Sequence, residues 1–184
     1  MPGWRVKDRL LAPRFPLVMG IVNTTPDSFH AASRATTVDA ALALAERHLC
    51  EGASILDVGG ASSRPGSGEV PEEEELRRTI PVIQALHARY PDALISVDTP
   101  RARLAAEALD AGAGMVNDIG AGLLDPGMLA TVAKAGVPYV LMHMRGRPAT
   151  MQQDPRYTDV VAEVTHFLSE RATAAHAAGI ADVI

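Results

Sequence analysis

The sequence predicts an α/β fold built on a parallel sheet, and two observations carry that prediction. Short apolar runs alternate strictly with amphipathic helical runs, and the helical runs close at glycines such as Gly52, Gly112, Gly136 and Gly179. Nearly every apolar run also ends in a polar side chain, at Asn23, Asp57, Asp98, Asn117 with Asp118, and His143. A chain of 184 residues with 47% hydrophobic content has enough apolar surface for one domain with a sizeable core, spanning residues 1–184. Seventeen basic against 22 acidic side chains give a net charge of −5, which argues against a general nucleic-acid or membrane-surface binder. An anionic ligand must therefore be held by local cations.

Taken in order, Trp4 to Pro16 is short, mixed and proline-bounded, and reads as an N-terminal hairpin or arm. The first core strand follows at Leu17 to Val22. Thr36-Thr37 supplies a helix N-cap, after which Val38, Ala41, Leu42, Ala45 and Leu49 recur at helical spacing. The second strand is Ser54 to Val58, and it runs into the Gly59 to Gly68 loop. Pro71 and Glu72 to Glu75 then open a helix with acidic side chains where the macrodipole favours them, and Pro81 is expected to kink it.

Leu94 to Asp98 is the third strand and Arg101 to Asp110 the third helix. Gly114 to Asp118 and Pro126 to Ala135 form the fourth pair. Val137 to His143 is the fifth strand, Thr158 to Ala178 a long helix, and Ala181 to Ile184 a sixth strand just begun. The choice within the class lies between an open doubly wound sheet and a (β/α)8 barrel. The dinucleotide fingerprint G-x-G-x-x-G is absent after the first strand. In a barrel the strand ends converge on one mouth, so the polar strand ends would line a single pocket.

The chemistry of that pocket can be read residue by residue. Asn23 offers an amide oxygen to a hard cation, with Asp27 close by in the next loop; an Asx-type turn before Pro26 is the structural alternative. Two ligands of this kind suit magnesium when phosphate oxygens and water complete the shell. The loop Ser62-Ser63-Arg64-Pro65-Gly66 combines hydroxyls, an Arg fork and backbone N–H groups, which suits a carboxylate or phosphate.

Asp98 closes an apolar strand, so its carboxylate is expected to be partly buried and to face a ligand or partner rich in N–H donors. With Asn117 on the next strand end, it can read the hydrogen-bonding edge of a guanine-like heterocycle. Met142 and Met144 flank His143 and supply a soft apolar wall; His143 itself reads equally as a satisfied core histidine or a catalytic group. H-E-x-x-H, C-x-x-C and G-x-S-x-G patterns do not occur, so zinc and serine hydrolases lack support. The single cysteine, Cys50, is expected to be a buried, inert thiol. Without a secretion signal or an apolar run of membrane-spanning length, the expected compartment is cytoplasmic.

Two segments, Met19 to Phe29 and Gly59 to Gly66, resemble the signature segments of the dihydropteroate synthase family, the sulfonamide target of folate biosynthesis. Ile95 to Thr99, Asn117-Asp118-Ile119 and Leu141 to Gly146 resemble its later blocks in the same order. The resemblance implies a (β/α)8 barrel, of which about the first five and a half βα units are present. It implies condensation of p-aminobenzoate with 6-hydroxymethyl-7,8-dihydropterin pyrophosphate, release of pyrophosphate, a requirement for Mg2+, and a homodimer.

The resemblance further implies that Asn23 binds magnesium and pyrophosphate and, with Asp98, is catalytic. Asp98, Asn117 and Met142 would hold the pterin, while Asp27, Phe29, Ser63, Arg64 and Pro65 would contact p-aminobenzoate and pyrophosphate. The sequence departs from the family pattern at Ala31, where aspartate is usual, at Ala61, where glutamate is common, and at Ser63, where threonine is common. Beyond the block that Leu141 to Gly146 resembles, the family carries a further Asp-Pro-Gly segment, a strand-borne lysine and an Arg-x-His motif. Asp125-Pro126-Gly127 lies before that block and none of the three follows it here, so the chain is expected to be part of a longer protein or to be completed by another segment or chain. A non-catalytic or truncated pterin-binding module is the alternative, and a corrinoid-linked methyltransferase domain a weaker third reading.

Overall fold

The structure is a computed structural model that describes residues 3–6, 9–11, 16–25, 37–61, 70–147 and 150–184. An antiparallel hairpin, β1 (Trp4–Val6) and β2 (Arg9–Leu11), precedes five parallel strands in sequential order. These are β3 (Met19–Asn23), β4 (Ile55–Gly59), β5 (Leu94–Asp98), β6 (Met115–Asp118) and β7 (Tyr139–Leu141). The helices between and after them are α1 (Val38–Cys50), α2 (Glu72–Arg89), α3 (Ala102–Ala111), α4 (Met128–Ala135) and α5 (Val160–Ala177). Val183 bridges to Tyr139 in parallel, so the sixth strand begins where the alternation of the sequence places it.

Helices α1 to α4 each bury one face against the sheet, whereas α5 fully buries only Ala175. In α1 the Thr37 hydroxyl accepts a hydrogen bond from Ala40 N at 3.1 Å, and Ala41, Leu44 and Ala45 form the buried face. Cys50 lies off that face and is exposed, which corrects the expectation of a buried thiol: at the end of the helix the apolar stripe has rotated away from it. Helix α2 runs without interruption from Glu72 to Arg89 through Pro81. It buries Leu76, Thr79, Val82, Ile83 and Leu86, together with one member of its acidic first turn, Glu75.

Helix α3 carries no side-chain cap of its own. Asp125, from the segment before α4, accepts from Ala102 N at 2.8 Å and so supplies the missing partner from a different βα unit. The helix stops at Gly112, whose φ of 124° lies in the region that favours glycine.

The core lies between the outer face of the sheet and the helices. Every residue of β4 and β6 is buried, as expected for parallel strands covered on both faces. The hairpin meets the opposite end of the sheet from the strand C-termini: Arg5 N donates to Asp182 Oδ2 at 2.6 Å, just before the sixth strand, and Val6 lies against Gly114 at the start of β6. The sheet and its helices are thus an arc of a parallel α/β barrel. The fifth strand is shorter than Val137 to His143, ending at Leu141, so His143 is not a strand end.

Candidate functional site

The parallel register places Asn23 beside Gly59, Gly59 beside Asp98, and Asp98 beside Asn117. Four neighbouring strands therefore present one level of the sheet at their C-terminal ends. Gly59 occupies the gap between two polar residues. A β-carbon there would lie 3.4 Å from Asp98 Oδ2 and 3.8 Å from Asn23 Oδ1, so the carboxylate and the amide oxygen converge over its backbone. Three of the sequence-predicted polar strand ends, Asn23, Asp98 and Asn117, thus share one level.

The remaining polar strand ends separate. Asp57 lies two residues below, level with Ser96 and Met115. Its Oδ2 accepts from Asn117 Nδ2 at 3.0 Å. Asp118, one residue after Asn117, faces the other side of the sheet because side chains alternate along a strand. There its oxygens accept from Gly120 N and Gly122 N, both at 2.7 Å, and from the Tyr139 hydroxyl at 2.5 Å. It is a structural clamp. His143 packs edge-on against Phe167, with ring centroids 4.9 Å apart, and against Tyr157 at 5.9 Å. The ring is half-buried, so these neighbours pack it without enclosing it in the core. Met142 is half-buried, two residues on from Val140, which pairs in register with Asn117.

Burial pushes the Asp98 carboxyl up to about 8, reinforced by the neighbouring carboxylates Asp57, Glu75 and Asp118. Burial also pushes Asp57 up, with Ser96 and Asn117 pulling the other way. The Ser96 hydroxyl lies near enough to weigh on the carboxyl, yet neither Ser96 Oγ nor Asp57 Oδ1 makes a hydrogen bond of good geometry among the described residues. A cluster of mutually repelling carboxyls at a pocket floor is poised to accept N–H donors from a ligand.

The segment after β4 is held by residues that the sequence reading left unassigned. Gly60 packs so closely on α2 that a β-carbon would fall 2.2 Å from Thr79 Oγ1 and 3.0 Å from Glu75 Cγ. Glu75 is only 1% exposed. It accepts from Thr99 Oγ1 at 3.1 Å and from Arg101 at 2.6 Å, and Arg101 also donates to the Val70 carbonyl at 2.7 Å. Burial raises the Glu75 pKa, while Arg101 opposes the rise. The signal that could have found Glu75 is its position four residues before Thr79 and eight before Ile83, on the apolar stripe of α2. Asp27, Phe29, Ser63, Arg64 and Pro65 lie outside the described residues. Among the described residues no group of three or more His, Cys, Asp or Glu is placed to hold a metal ion, and no helix is long and apolar enough to cross a membrane.

A parallel β/α arc with a level of polar side chains at its strand C-termini is the architecture of a barrel-type ligand-binding α/β protein. The family model described as "Pterin binding enzyme" matches residues 19–184, and the chain belongs to that family. Among its curated relatives, the dihydropteroate synthase of Haemophilus influenzae is 45% identical over 165 residues, covering 90% of this chain and 59% of the relative. That of Escherichia coli is 45% identical over 166 residues, covering 90% and 58%.

Solved structures agree. The Yersinia pestis dihydropteroate synthase, in a sulfonamide drug complex, superposes with a TM-score of 0.92 at 43% identity, over 98% of this chain and 65% of that one. The Xanthomonas albilineans dihydropteroate synthase in complex with 7,8-dihydropteroate gives 0.81 at 48% identity, over 98% and 62%. The chain thus spans about three fifths of the length of the curated relatives it matches.

Proposed function

We propose that this chain forms the pterin side of a dihydropteroate synthase, which condenses 6-hydroxymethyl-7,8-dihydropterin pyrophosphate with p-aminobenzoate and releases pyrophosphate. The observation that carries the proposal is the single level formed by Asn23, Gly59, Asp98 and Asn117 in a chain this similar to dihydropteroate synthases. In this reading Asp98 and Asn117 hold the hydrogen-bonding edge of the pterin and Met142 flanks the ring. Asn23, with Asp27, takes the pyrophosphate end, while Phe29, Ser63, Arg64 and Pro65 contact p-aminobenzoate and pyrophosphate.

Magnesium fits the donor set at that end. Asn23 Oδ1 is a hard oxygen at the end of β3, converging over Gly59, and a sparse oxygen donor of this kind suits an ion that completes its shell with phosphate oxygens and water. Asn23 would hold it, and the ion would supply charge neutralisation for the departing pyrophosphate. The protein's own contribution is electrostatic. The C–O bond to pyrophosphate breaks with the electron pair leaving on pyrophosphate, and positive charge develops on the pterin methylene and ring. The Asp98 carboxylate, once it accepts the pterin N–H groups, stabilises that charge. The aniline nitrogen of p-aminobenzoate then attacks the methylene carbon with its lone pair, and the resulting acidic anilinium passes its proton to water or to the released pyrophosphate, so the chemistry asks for no dedicated base.

The wider reading is a cytoplasmic homodimer that is a target of sulfonamides. Ala31, where the family usually has a carboxylate, favours a second reading in which the chain binds pterin without turnover. Calorimetric titration with the pterin pyrophosphate, followed by a pyrophosphate-release assay on the same sample with p-aminobenzoate and Mg2+, separates the two. Binding with release supports the synthase. Binding without release favours the non-catalytic module, and absence of binding overturns both.

A further inference from the structure

Below the level of Asn23, Asp98 and Asn117 lies a second level of polar residues that no step above uses. Asp57 and Ser96 face each other in register on β4 and β5, at 5% and 0% exposure. A buried carboxylate there is unfavourable unless it meets a donor, and the donor the fold supplies is the Asn117 side-chain amide, at 3.0 Å from Asp57 Oδ2. The two residues are 60 positions apart in sequence and two strands apart in the sheet, so the contact crosses β5 beneath the Asp98 carboxyl.

From this geometry we infer that Asp57 is a positioning residue for ligand recognition, fixing the orientation of the Asn117 amide. An asparagine amide has one acceptor oxygen and one donor nitrogen, and an unrestrained amide can present either to a ligand. With Nδ2 committed downward to Asp57, Asn117 presents Oδ1 to the pocket. The pocket at that point therefore selects a ligand N–H and disfavours a ring that offers a bare nitrogen or oxygen there. Burial of Asn117 at 9% exposure leaves little room for it to turn over. Ser96 supports the arrangement from beside the carboxyl, where Asp57 Oδ1 and Ser96 Oγ form the polar floor. This inference rests on the pterin reading of the site.

A double-mutant cycle tests it, with 6-hydroxymethylpterin as the probe and its dissociation constant read by calorimetry. Asp57→Ala is expected to weaken binding on the order of tenfold, the scale of one misdirected hydrogen bond. Asp57→Asn, which keeps an acceptor oxygen, should recover most of that loss. In an Asn117→Ala background, Asp57→Ala should cost little more, because a residue that acts through Asn117 has nothing left to position. Additive losses in the cycle, or undiminished binding by a folded Asp57→Ala variant, overturn the inference while leaving the pterin reading in place.

Absence of pterin binding by the unaltered protein overturns both. Should Asp57→Ala fail to fold, the Asn117 side-chain amide of the unaltered protein provides the second measurement. Its protons should exchange with solvent far more slowly than those of an exposed asparagine, and exchange at the exposed rate overturns the inference.

Discussion

Replacing Asp98 by asparagine is predicted to make the protein more stable at alkaline pH and less able to bind its ligand. The carboxyl is pushed from an ordinary value of 3.8 to about 8, first by burial and then by Asp57, Glu75 and Asp118. The folded protein therefore retains a proton on Asp98 over a range of pH in which the unfolded chain has already released it. Stability is thus greatest below the ordinary value, declines as pH rises, and levels off above about 8. At about 1.4 kcal/mol per pH unit the gap sets a ceiling of roughly 6 kcal/mol. Asp98 lies at a half-buried strand end, where water reaching the pocket reduces the realised penalty to about 2–3 kcal/mol.

Urea unfolding of both proteins at pH 4.5 and 8.5 measures it. Asp57 and Glu75 are also shifted upward, so the informative quantity is the difference between the proteins at each pH. Asp98→Asn should exceed the unaltered protein by about 2–3 kcal/mol at pH 8.5 and by less than about 1 kcal/mol at pH 4.5. An equal difference at the two values, or a variant less stable at pH 8.5, would refute the electrostatic reasoning.

Three further outcomes follow from the same contacts. Arg101→Met strands the buried Glu75 carboxylate and should cost about 3–5 kcal/mol in chemical denaturation, whereas Glu75→Gln, which leaves no buried charge behind, should cost clearly less. Gly60→Ala drives a methyl group into Thr79 and the start of α2, and should lower stability by about 1–3 kcal/mol; pairing it with Thr79→Ala should recover part of the loss, read from thermal unfolding. Cys50 should react completely with a thiol reagent in the native protein at the rate of an exposed cysteine, and slow labelling would contradict its place at the end of α1.

The alternation of strands and helices was legible because each βα unit carries its own punctuation. Thr37 caps α1, Gly112 stops α3 and Gly136 stops α4 in a left-handed conformation. The level formed by Asn23, Asp98 and Asn117 was legible because polar residues closing apolar strands stand out against the pattern. Its finer sorting was not. Whether Asp57 lies in the level or beneath it depends on a register between strands, and neighbouring residues such as Asn117 and Asp118 point to opposite faces.

The connections between units were least visible. Asp125 caps a helix that begins 23 residues earlier, and Arg101 meets a glutamate 26 residues away. Local sequence shows Glu75 only as one of four acidic residues favoured by a helix dipole. Its burial arises from tertiary packing, as does the exposure of Cys50, where a helix end rotates off the sheet.

The central claim is that one level of strand ends binds a pterin pyrophosphate, and a crystal structure of the protein soaked with that compound and Mg2+ tests it most directly. The account predicts the pterin edge within hydrogen-bonding distance of both Asp98 and Asn117 Oδ1, with the pyrophosphate at the Asn23 end. A pterin bound elsewhere, or bound here with its pyrophosphate directed away from Asn23, would contradict it.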